Sequence, residues 1–267
     1  MAAHQGTIYN HFSRIASFYR LIRTTDVQPI RYIGKKLKGS KAIRAADIGC
    51  GTGRYDLLLF RYLNNLHLTC IDINESMLKQ ASAFLKGHGI HRFITVKAQA
   101  HDLPLRDSMM DCIFSFNAVH HFDFHRFIEK VAGVTRQGGF AFIYTRLQSQ
   151  NARNIWGRHF PLFIEKEKRL YELDDITEAV DSTRCSTIED IKKFKFKRKA
   201  SLDELLDRVR KKHYSTFSLY SDHELRDCLK EFKKKIVHHF TDPDCIEWFD
   251  ENILIALRLR PKIRATS

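Results

Sequence analysis

Three glycines and two acids near residue 50 have the spacing of a nucleoside-binding site. Residues 46–53 read A-D-I-G-C-G-T-G at the end of an apolar run, and Asp72 ends the next apolar run. Glycines allow positive φ and let the backbone approach a ligand that a Cβ would exclude. An acid about twenty residues beyond such a turn is placed to accept hydrogen bonds from both hydroxyls of a ribose. The spacing therefore predicts a site for a nucleoside cofactor.

The same stretch departs from the dinucleotide-binding pattern. That pattern, G-x-G-x-x-G, holds a pyrophosphate at a helix N-terminus, whereas the glycines here are Gly49, Gly51 and Gly53. Asp47 lies two residues before the first glycine, where its charge would repel a phosphate. An acid at this place suits an amino group or a sulfonium. The pattern therefore favours S-adenosylmethionine over NAD.

Alternating strands and helices are predicted to position these residues. An amphipathic helix over residues 8–22 comes first, and Asn74 is expected to cap the helix after the second strand. Strands that alternate with helices predict parallel βαβ units. The five predicted strands are 45–48, 68–73, 93–96, 112–116 and, after a turn at Gly138-Gly139, 140–144.

The pattern changes after Thr145. Residues 148–163 have no clear period and are predicted to form a loop, whereas 188–199 alternate as a half-buried strand with lysines on one face. Two capping boxes, Ser201 with Glu204 and Ser221 with Glu224, each predict the start of an amphipathic helix. Residues 248–259 are predicted to form the last strand.

Composition limits the class of protein. The 267 residues, 43% of them hydrophobic, suffice for one α/β domain with insertions. No apolar run nears the roughly 20 residues of a membrane span, and no signal-peptide core is evident. The six cysteines form no C-x-x-C pair, which favours reduced thiols and a cytoplasmic location. A formal charge of +14 favours anionic partners but does not identify them.

Four motifs in order resemble the class I S-adenosylmethionine-dependent methyltransferases, most closely the ubiquinone/menaquinone-biosynthesis-type (methyltransferase domain 11-like) group. The resemblance covers residues 8–145. It implies an α/β, Rossmann-like fold: a seven-stranded, mostly parallel sheet with an N-terminal lid helix and a helical insertion before the last strand. The motifs are ADIGCGTG at 46–53, CIDIN at 70–74, HDLPL at 101–105 with MDCIFSFNAVHHF at 110–122, and RQGGFAFIY at 136–144.

The resemblance also implies an organisation of the chain. Residues 1–145 would form the cofactor-binding core with the lid helix, and residues 146–245 a substrate-covering insertion with helices. Residues 246–267 would supply the last core strand and a tail.

The resemblance further implies how S-adenosylmethionine is bound. The glycines would line its methionine part, Asp47 would hold its amino group through water or backbone, and Asp72 would take the ribose. Gln99 stands where the family often has an acid, and its amide oxygen can still accept from the adenine amino group. The full cofactor set is Asp47, Gly49, Cys50, Gly51, Gly53, Asp72, Ile73, Gln99, Ala100, Asn117 and Tyr19.

Candidate acceptor residues follow the fourth and fifth strands. His120 and His121 are candidates for a base or for orienting the acceptor, although such histidines can also cap the next helix. Arg146 with a tyrosine partner is a typical arrangement for binding a small carboxylate or phosphate. No metal is predicted, because the histidines lack further ligands at suitable spacing. Tyr9 and Phe12 of the lid helix, Trp156 and Tyr214 complete the predicted substrate-binding set.

The sequence therefore predicts a methyltransferase for a small, anionic acceptor. One alternative is a tRNA or rRNA methyltransferase, suggested by the basic runs 192–199 and 208–212. Against it, the alternation places Phe194 and Phe196 on the face opposite the lysines. Another alternative is a non-catalytic, cofactor-binding interaction protein. The sequence indicates no oligomeric state.

Overall fold

Seven strands form one mixed sheet in the computed structural model, which describes residues 2–260. The strands are β1 Ile43–Ile48, β2 Leu66–Asp72, β3 Phe93–Lys97, β4 Met110–Phe116, β5 Thr135–Thr145, β6 Ser186–Ala200 and β7 Ile246–Leu259. Their order across the sheet is β3-β2-β1-β4-β5-β7-β6. Strands β1 to β5 pair in parallel, and β7 pairs antiparallel with β5. The predicted fold class is confirmed.

Twelve α-helices and two 3₁₀ turns lie within the described residues. The helices are α1 Ala2–Ile15, α2 Tyr19–Ile22, α3 Gln28–Lys36, α4 Arg54–Tyr62, α5 Glu75–Gly87, α6 Phe124–Val134, α7 Gln148–Arg153, α8 Ile155–His159, α9 Phe163–Lys166, α10 Leu173–Thr183, α11 Leu202–Arg210 and α12 Asp222–His239, and the 3₁₀ turns are Val119–His121 and Ser215–Leu219. None of these helices combines the length and apolar character needed to cross a bilayer.

The predicted helix caps are confirmed. Asn74 Oδ1 accepts from the Met77 amide at 3.1 Å, which starts α5. Ser201 Oγ accepts from the Glu204 amide at 3.2 Å, and Ser221 Oγ accepts from the Glu224 amide at 3.2 Å. In both boxes the glutamate accepts in return from the serine amide, so α11 and α12 begin where the sequence predicts.

The predicted loop over residues 148–163 is wrong, because this stretch forms α7, α8 and the start of α9. Asn154 starts α8, since its Oδ1 accepts from the amides of Trp156 at 2.9 Å and Gly157 at 2.8 Å. Helices this short complete too few turns to show a 3.6-residue period. Side-chain capping therefore specifies them where hydrophobic periodicity does not.

Two other predicted boundaries are wrong. The N-terminal helix predicted over residues 8–22 is interrupted between α1 and α2. Gly138 and Gly139 lie inside β5 instead of in a turn before it. The pairing of β4 with β5 shifts register between Met110 and Cys112, so an irregularity in the ladder accommodates the two glycines.

The described chain divides into two compact units. One, called here the helical unit, comprises the chain up to Thr24, Arg146–Glu172 and Lys193–Asn252. The other, called here the sheet unit, comprises Thr25–Thr145, Leu173–Lys192 and the chain from Ile253. The domain boundaries predicted above follow sequence order and stay a prediction. The predicted tail at 261–267 lies outside the described residues.

Each unit has an aromatic core of its own. In the sheet unit, the rings of Phe114 and Phe142 on β4 and β5 stack with centroids 5.9 Å apart. In the helical unit, Trp156 packs against Phe217 and Phe232 with centroids 5.5 and 5.3 Å apart. Buried aromatic rings contribute a large apolar area each, so each unit is held by its own hydrophobic cluster.

Candidate active site

The glycine-rich turn joins β1 to α4 and is tied to the end of β2. The amides of Gly49 and Cys50 both donate to the Ile71 carbonyl, at 2.8 and 3.0 Å. Gly49, Gly51 and Gly53 all have positive φ, at +75°, +56° and +75°. The left-handed backbone at three alternate positions folds the turn back toward β2.

Asp72 lies against this turn. Its Oδ2 accepts from the Gly51 amide at 2.9 Å, and its Oδ1 accepts from the Asn74 amide at 2.8 Å. Burial raises the pKa of the Asp72 carboxyl, while the amides of Asn74 and Gly51 lower it. A carboxylate has about four lone-pair positions, so each oxygen retains capacity for another donor.

Two glycines of the turn meet different surroundings. A Cβ on Gly51 would have no heavy atom of the described residues within 4 Å, apart from its chain neighbours. A Cβ on Gly49 would lie 2.5 Å from Ala118 Cβ and 3.0 Å from Phe122 Cζ. Gly51 therefore borders open space, whereas Gly49 lets the segment 118–122 approach the turn closely.

That segment carries the two predicted histidines. His120 and His121 lie in the 3₁₀ turn Val119–His121, with ring centroids 4.0 Å apart. Asn117, just before it, has a φ of +55°, and its amide donates to the Tyr144 carbonyl at 2.7 Å. The structure thus brings Ala118 and Phe122, which flank the two histidines, to the glycine turn, while the roles of Asn117 and the histidines stay predictions.

Two acids are buried behind the turn. Asp47 is 1% exposed and Asp56 is 0% exposed. Asp47 Oδ1 and both carboxyl oxygens of Asp56 have no hydrogen-bond donor among the described residues. Burial and the Asp56 charge raise the pKa of Asp47 well above its usual value, and burial raises that of Asp56. Two carboxyls can bond each other only when one is protonated, so the pair retains a proton more tightly than an isolated acid.

Asp56 was not predicted from the sequence. It lies in the first turn of α4, between the buried residues Tyr55 and Leu57. An acid inside that apolar stretch is the signal that could have identified it, because an acidic side chain is seldom fully buried without a partner.

We expect Asp56→Asn to stabilise the protein at pH 8 by about 1–2 kcal/mol, since it removes a negative charge from a fully buried position beside Asp47. A carboxyl whose pKa rises on folding binds more protons in the native than in the unfolded state. The Asp56 carboxyl therefore lowers the free energy of unfolding as the pH rises above about 4, the pKa of an unperturbed Asp. The gain should shrink as the pH falls from 8 to 5. Urea unfolding at both pH values tests this, with exposed Asp107→Asn as the control. A gain of equal size at both pH values would contradict the assignment.

The remaining predicted cofactor residues differ in exposure. Ile73 is 49% exposed at the end of β2 and offers an apolar surface beside Asp72. Gln99 is exposed and Ala100 is half-buried, after β3. Cys50 is buried, and burial raises the pKa of its thiol. Tyr19 belongs to the helical unit, so these predicted residues do not all lie in one compact unit.

The residues predicted to bind the substrate all belong to the helical unit, whereas the two candidate histidines belong to the sheet unit. Arg146 Nη1 donates to Tyr214 Oη at 3.3 Å, which brings together two of them. The other Arg146 nitrogens are also engaged: Nη2 lies 3.2 Å from Asp250 Oδ1, and Nε donates to the Glu251 carbonyl at 3.3 Å. Each of the three guanidinium nitrogens of Arg146 therefore has a partner.

Three aromatic residues of that set are placed differently. Trp156 is 2% exposed inside the core, which favours a packing role. Phe12 packs edge-on against Tyr19 with centroids 6.1 Å apart. Tyr9 is exposed on α1. No group of three or more side chains able to hold a metal lies within residues 2–260.

Residues 46–143, which contain the glycine turn, Asp72 and the histidines, match the sequence model of the family described as a methyltransferase domain. Residues 46–143 of this chain form a methyltransferase domain. The predicted resemblance to the class I S-adenosylmethionine-dependent methyltransferases is confirmed for this region, with S-adenosylmethionine as the cofactor of that class, whereas the activity of the whole chain is a proposal.

Three curated relatives match the methyltransferase region. The malonyl-(acyl-carrier protein) O-methyltransferase of Geobacter sulfurreducens is 36% identical over 40% of this chain and 40% of its own length. The ubiquinone/menaquinone biosynthesis C-methyltransferase of Proteus mirabilis is 33% identical over 36% of this chain and 39% of its own. A human protein named "probable tRNA methyltransferase 9B" is 23% identical over 68% of this chain and 34% of its own. The chain spans about two fifths or less of the length of these relatives.

A solved structure shares the methyltransferase fold over most of the chain. The protein, from Bacillus halodurans, superposes with a TM-score of 0.64 at 16% identity. The match covers 90% of this chain and 100% of that one. At this identity the likeness shows the fold alone, so the acceptor has to be argued from the residues.

Proposed function

We propose that this chain transfers the methyl group of S-adenosylmethionine to a small acceptor that carries an anionic group. Two clusters of charge support this proposal: acids surround the glycine turn and suit a cationic cofactor, and arginines surround Tyr214 and suit an anionic group.

The acids suit the charge of the cofactor. The sulfonium and the amino group of S-adenosylmethionine are cations, and Asp47 and Asp56 have buried oxygens without donors. The free capacity of Asp72 suits the ribose hydroxyls, and the open space at Gly51 suits close backbone approach. When bound, the cofactor supplies an activated, electrophilic methyl group. The protein then has to bind both partners, align them and exclude water.

The arginines around Tyr214 are the observation that carries the anionic acceptor. The Arg23 guanidinium lies over the Tyr214 ring, 4.4 Å from its centroid. Arg146 donates to the hydroxyl of the same tyrosine at 3.3 Å. Arg169 donates to Ser215 Oγ, one residue on, at 3.1 Å. Three guanidinium groups therefore converge on two adjacent residues.

Acids nearby only partly balance this charge. Asp250 lies 3.2 Å from Arg146 and 3.1 Å from Arg198, so one carboxylate serves two guanidinium groups. Glu167 pairs with Arg169. The cluster keeps net positive charge in a largely buried position, and a carboxylate or phosphate is the group such charge binds.

The histidines would act as a base only for some acceptors. A phenol or an acidic carbon must lose a proton as the methyl group is transferred, and His121 or His120 would accept it. A carboxylate, a thiolate or an amine needs no base. The histidines would then orient the acceptor.

Release of S-adenosylhomocysteine in the presence of candidate acceptors tests the proposal. A panel of small carboxylic acids and phosphate monoesters is compared with their neutral amides or esters. Turnover is expected only with the anionic members. Equal turnover with the neutral counterparts would reject the anionic acceptor, and failure to bind S-adenosylmethionine would reject the methyltransferase activity.

A second candidate is methylation of RNA, which the name of the human relative and a row of exposed lysines support. Lys193, Lys195 and Lys197 lie on the exposed face of β6. Lys195 lies over the ring of Phe249, which is largely exposed. Phe194 and Phe196 stack on the opposite, more buried face, with centroids 6.0 Å apart. The basic face thus offers one exposed aromatic ring for a base, which makes RNA the weaker candidate.

Salt dependence separates the two candidates. We expect tRNA added at 50 mM salt to bind weakly, and its affinity to fall by several powers of ten at 200 mM, because phosphate contacts release counterions. Turnover of a small anion should change only a few-fold over this range. Gel filtration with tRNA and the turnover assay measure both effects. Co-elution with tRNA at physiological salt, together with its methylation, would reject the small acceptor.

The cytoplasmic location stays a prediction.

A further inference from the structure

We infer that His11 and Arg169 form a subsite for an oxyanion, a carboxylate or a phosphate, on the acceptor. The role of this subsite in methyl transfer rests on the proposed function. Its capacity to bind an oxyanion does not, and it can be tested without the cofactor.

Two elements of the helical unit bring these residues together. Helix α1, which carries His11, packs against the 3₁₀ turn Ser215–Leu219. Arg169 donates from Nη2 to Ser215 Oγ, at the first residue of that turn. The Arg169 charge also acts on His11, where it helps to lower the pKa of the imidazole, so the two side chains lie near each other although they come from different parts of the chain.

Hydrogen bonds fix the Arg169 guanidinium through two of its nitrogens, and the third nitrogen has no acceptor among the described residues. Nε donates to Glu167 Oε1 at 2.8 Å, and Nη2 donates to Glu167 Oε2 and to Ser215. Glu167 is itself buried and accepts from the Thr216 hydroxyl. Nη1 is buried and has no acceptor among the described residues. A rigid guanidinium thus presents one unused donor.

His11 presents a second unused hydrogen-bond donor. The residue is only 5% exposed, and its Nε2 has no hydrogen-bond partner among the described residues. Nearly all buried donors in native proteins are paired, so two unpaired buried nitrogens on neighbouring side chains indicate that a ligand satisfies them. A carboxylate or phosphate carries several acceptor oxygens and can meet donors from two elements at once.

The charge around His11 selects an anion. Burial, followed by Lys212, Arg14, Arg23 and Arg169, lowers the pKa of His11 to about 4. At neutral pH the imidazole is therefore uncharged, and its Nε2–H tautomer is a donor without a charge of its own. The negative charge of an oxyanion would be stabilised by the surrounding cations, whereas a cationic or neutral ligand would gain nothing from them.

Anion binding to the full chain tests the inference. Inorganic phosphate and acetate are titrated separately into the cofactor-free protein by calorimetry at pH 7.5 and constant ionic strength. Saturable binding of one ion per chain is expected, and the tighter of the two identifies a phosphate or a carboxylate acceptor. The absence of saturable binding by both ions would overturn the inference.

Matched variants locate the binding. Arg169→Lys keeps the charge and a partner for Glu167 but removes the second terminal nitrogen, so affinity should fall at least tenfold. His11→Phe keeps the ring and removes the donor, with the same expected loss. Arg158→Lys, the same change at an exposed position, should bind as the parent does. An equal loss in Arg158→Lys would show diffuse attraction and overturn the inference, as would parental affinity in Arg169→Lys. Circular dichroism confirms that each variant is folded.

The inference and the proposed function fail separately. Anion binding that depends on Arg169, in a protein that neither binds nor uses S-adenosylmethionine, would reject the proposed function and keep the subsite. An active methyltransferase whose anion binding is unaffected by Arg169→Lys and His11→Phe would reject the subsite and keep the proposed function.

Discussion

Gly49→Ala should destabilise the methyltransferase domain more than Gly51→Ala, by about 1–3 kcal/mol. Both glycines have positive φ, so both alanines pay a similar backbone strain of roughly 1–2 kcal/mol. Only the Cβ at Gly49 also meets other atoms, 2.5 Å from Ala118 Cβ and 3.0 Å from Phe122 Cζ. The segment 118–122 must therefore shift in one variant and not in the other.

Gly51→Ala should lose more cofactor affinity than Gly49→Ala, although it should lose less stability. The Cβ of Gly51→Ala enters space that we assign to S-adenosylmethionine, so affinity should fall although most of the stability remains. Urea unfolding gives the first quantity and calorimetry with S-adenosylhomocysteine the second. Equal losses of stability would mean that Gly49 does not set the approach of segment 118–122. Unchanged affinity in Gly51→Ala would mean that the ligand lies elsewhere.

The glycine turn and its strands could be predicted from sequence because their determinants are local. Positive φ at Gly49 and the cap at Asn74 depend on residue types within a few positions. The order of the strands and the antiparallel β7 depend on pairing between distant segments. That part of the fold was predicted from the resemblance to a known family. It was not predicted from hydrophobic periodicity in this sequence.

The charges at the candidate site were harder to predict, because their partners are distant in sequence. Arg146 was predicted to bind an anion, which stays a prediction, but its partners Tyr214 and Asp250 could not be identified from the sequence. The unpaired nitrogens of His11 and Arg169 likewise become visible only when α1 and the 3₁₀ turn at Ser215 are seen to pack together. Burial is a property of the fold, so a sequence shows a charged residue without showing whether water or a partner surrounds it.

Asp72→Ala should weaken binding of S-adenosylhomocysteine at least about 30-fold, or about 2 kcal/mol, because buried ribose hydroxyls lose a charged acceptor. The carboxylate also accepts from the Gly51 and Asn74 amides at 2.9 and 2.8 Å, so its loss additionally loosens the glycine turn. Asp72→Asn keeps the shape and one acceptor oxygen and should give an intermediate loss. Exposed Asp107→Ala should bind as the parent does.

A pair of ligands separates the ribose contact from the effect on the turn. S-adenosylhomocysteine is compared with its 2′-deoxyribose analogue in the parent and in Asp72→Ala by calorimetry. If Asp72 accepts from the ribose, removal of the hydroxyl should weaken binding to the parent by roughly tenfold and leave binding to the variant nearly unchanged. If the carboxylate only shapes the turn, the two ligands should differ by the same factor in both proteins. That second result, or NAD binding as tightly as S-adenosylhomocysteine, would reject Asp72 as the residue that selects the cofactor.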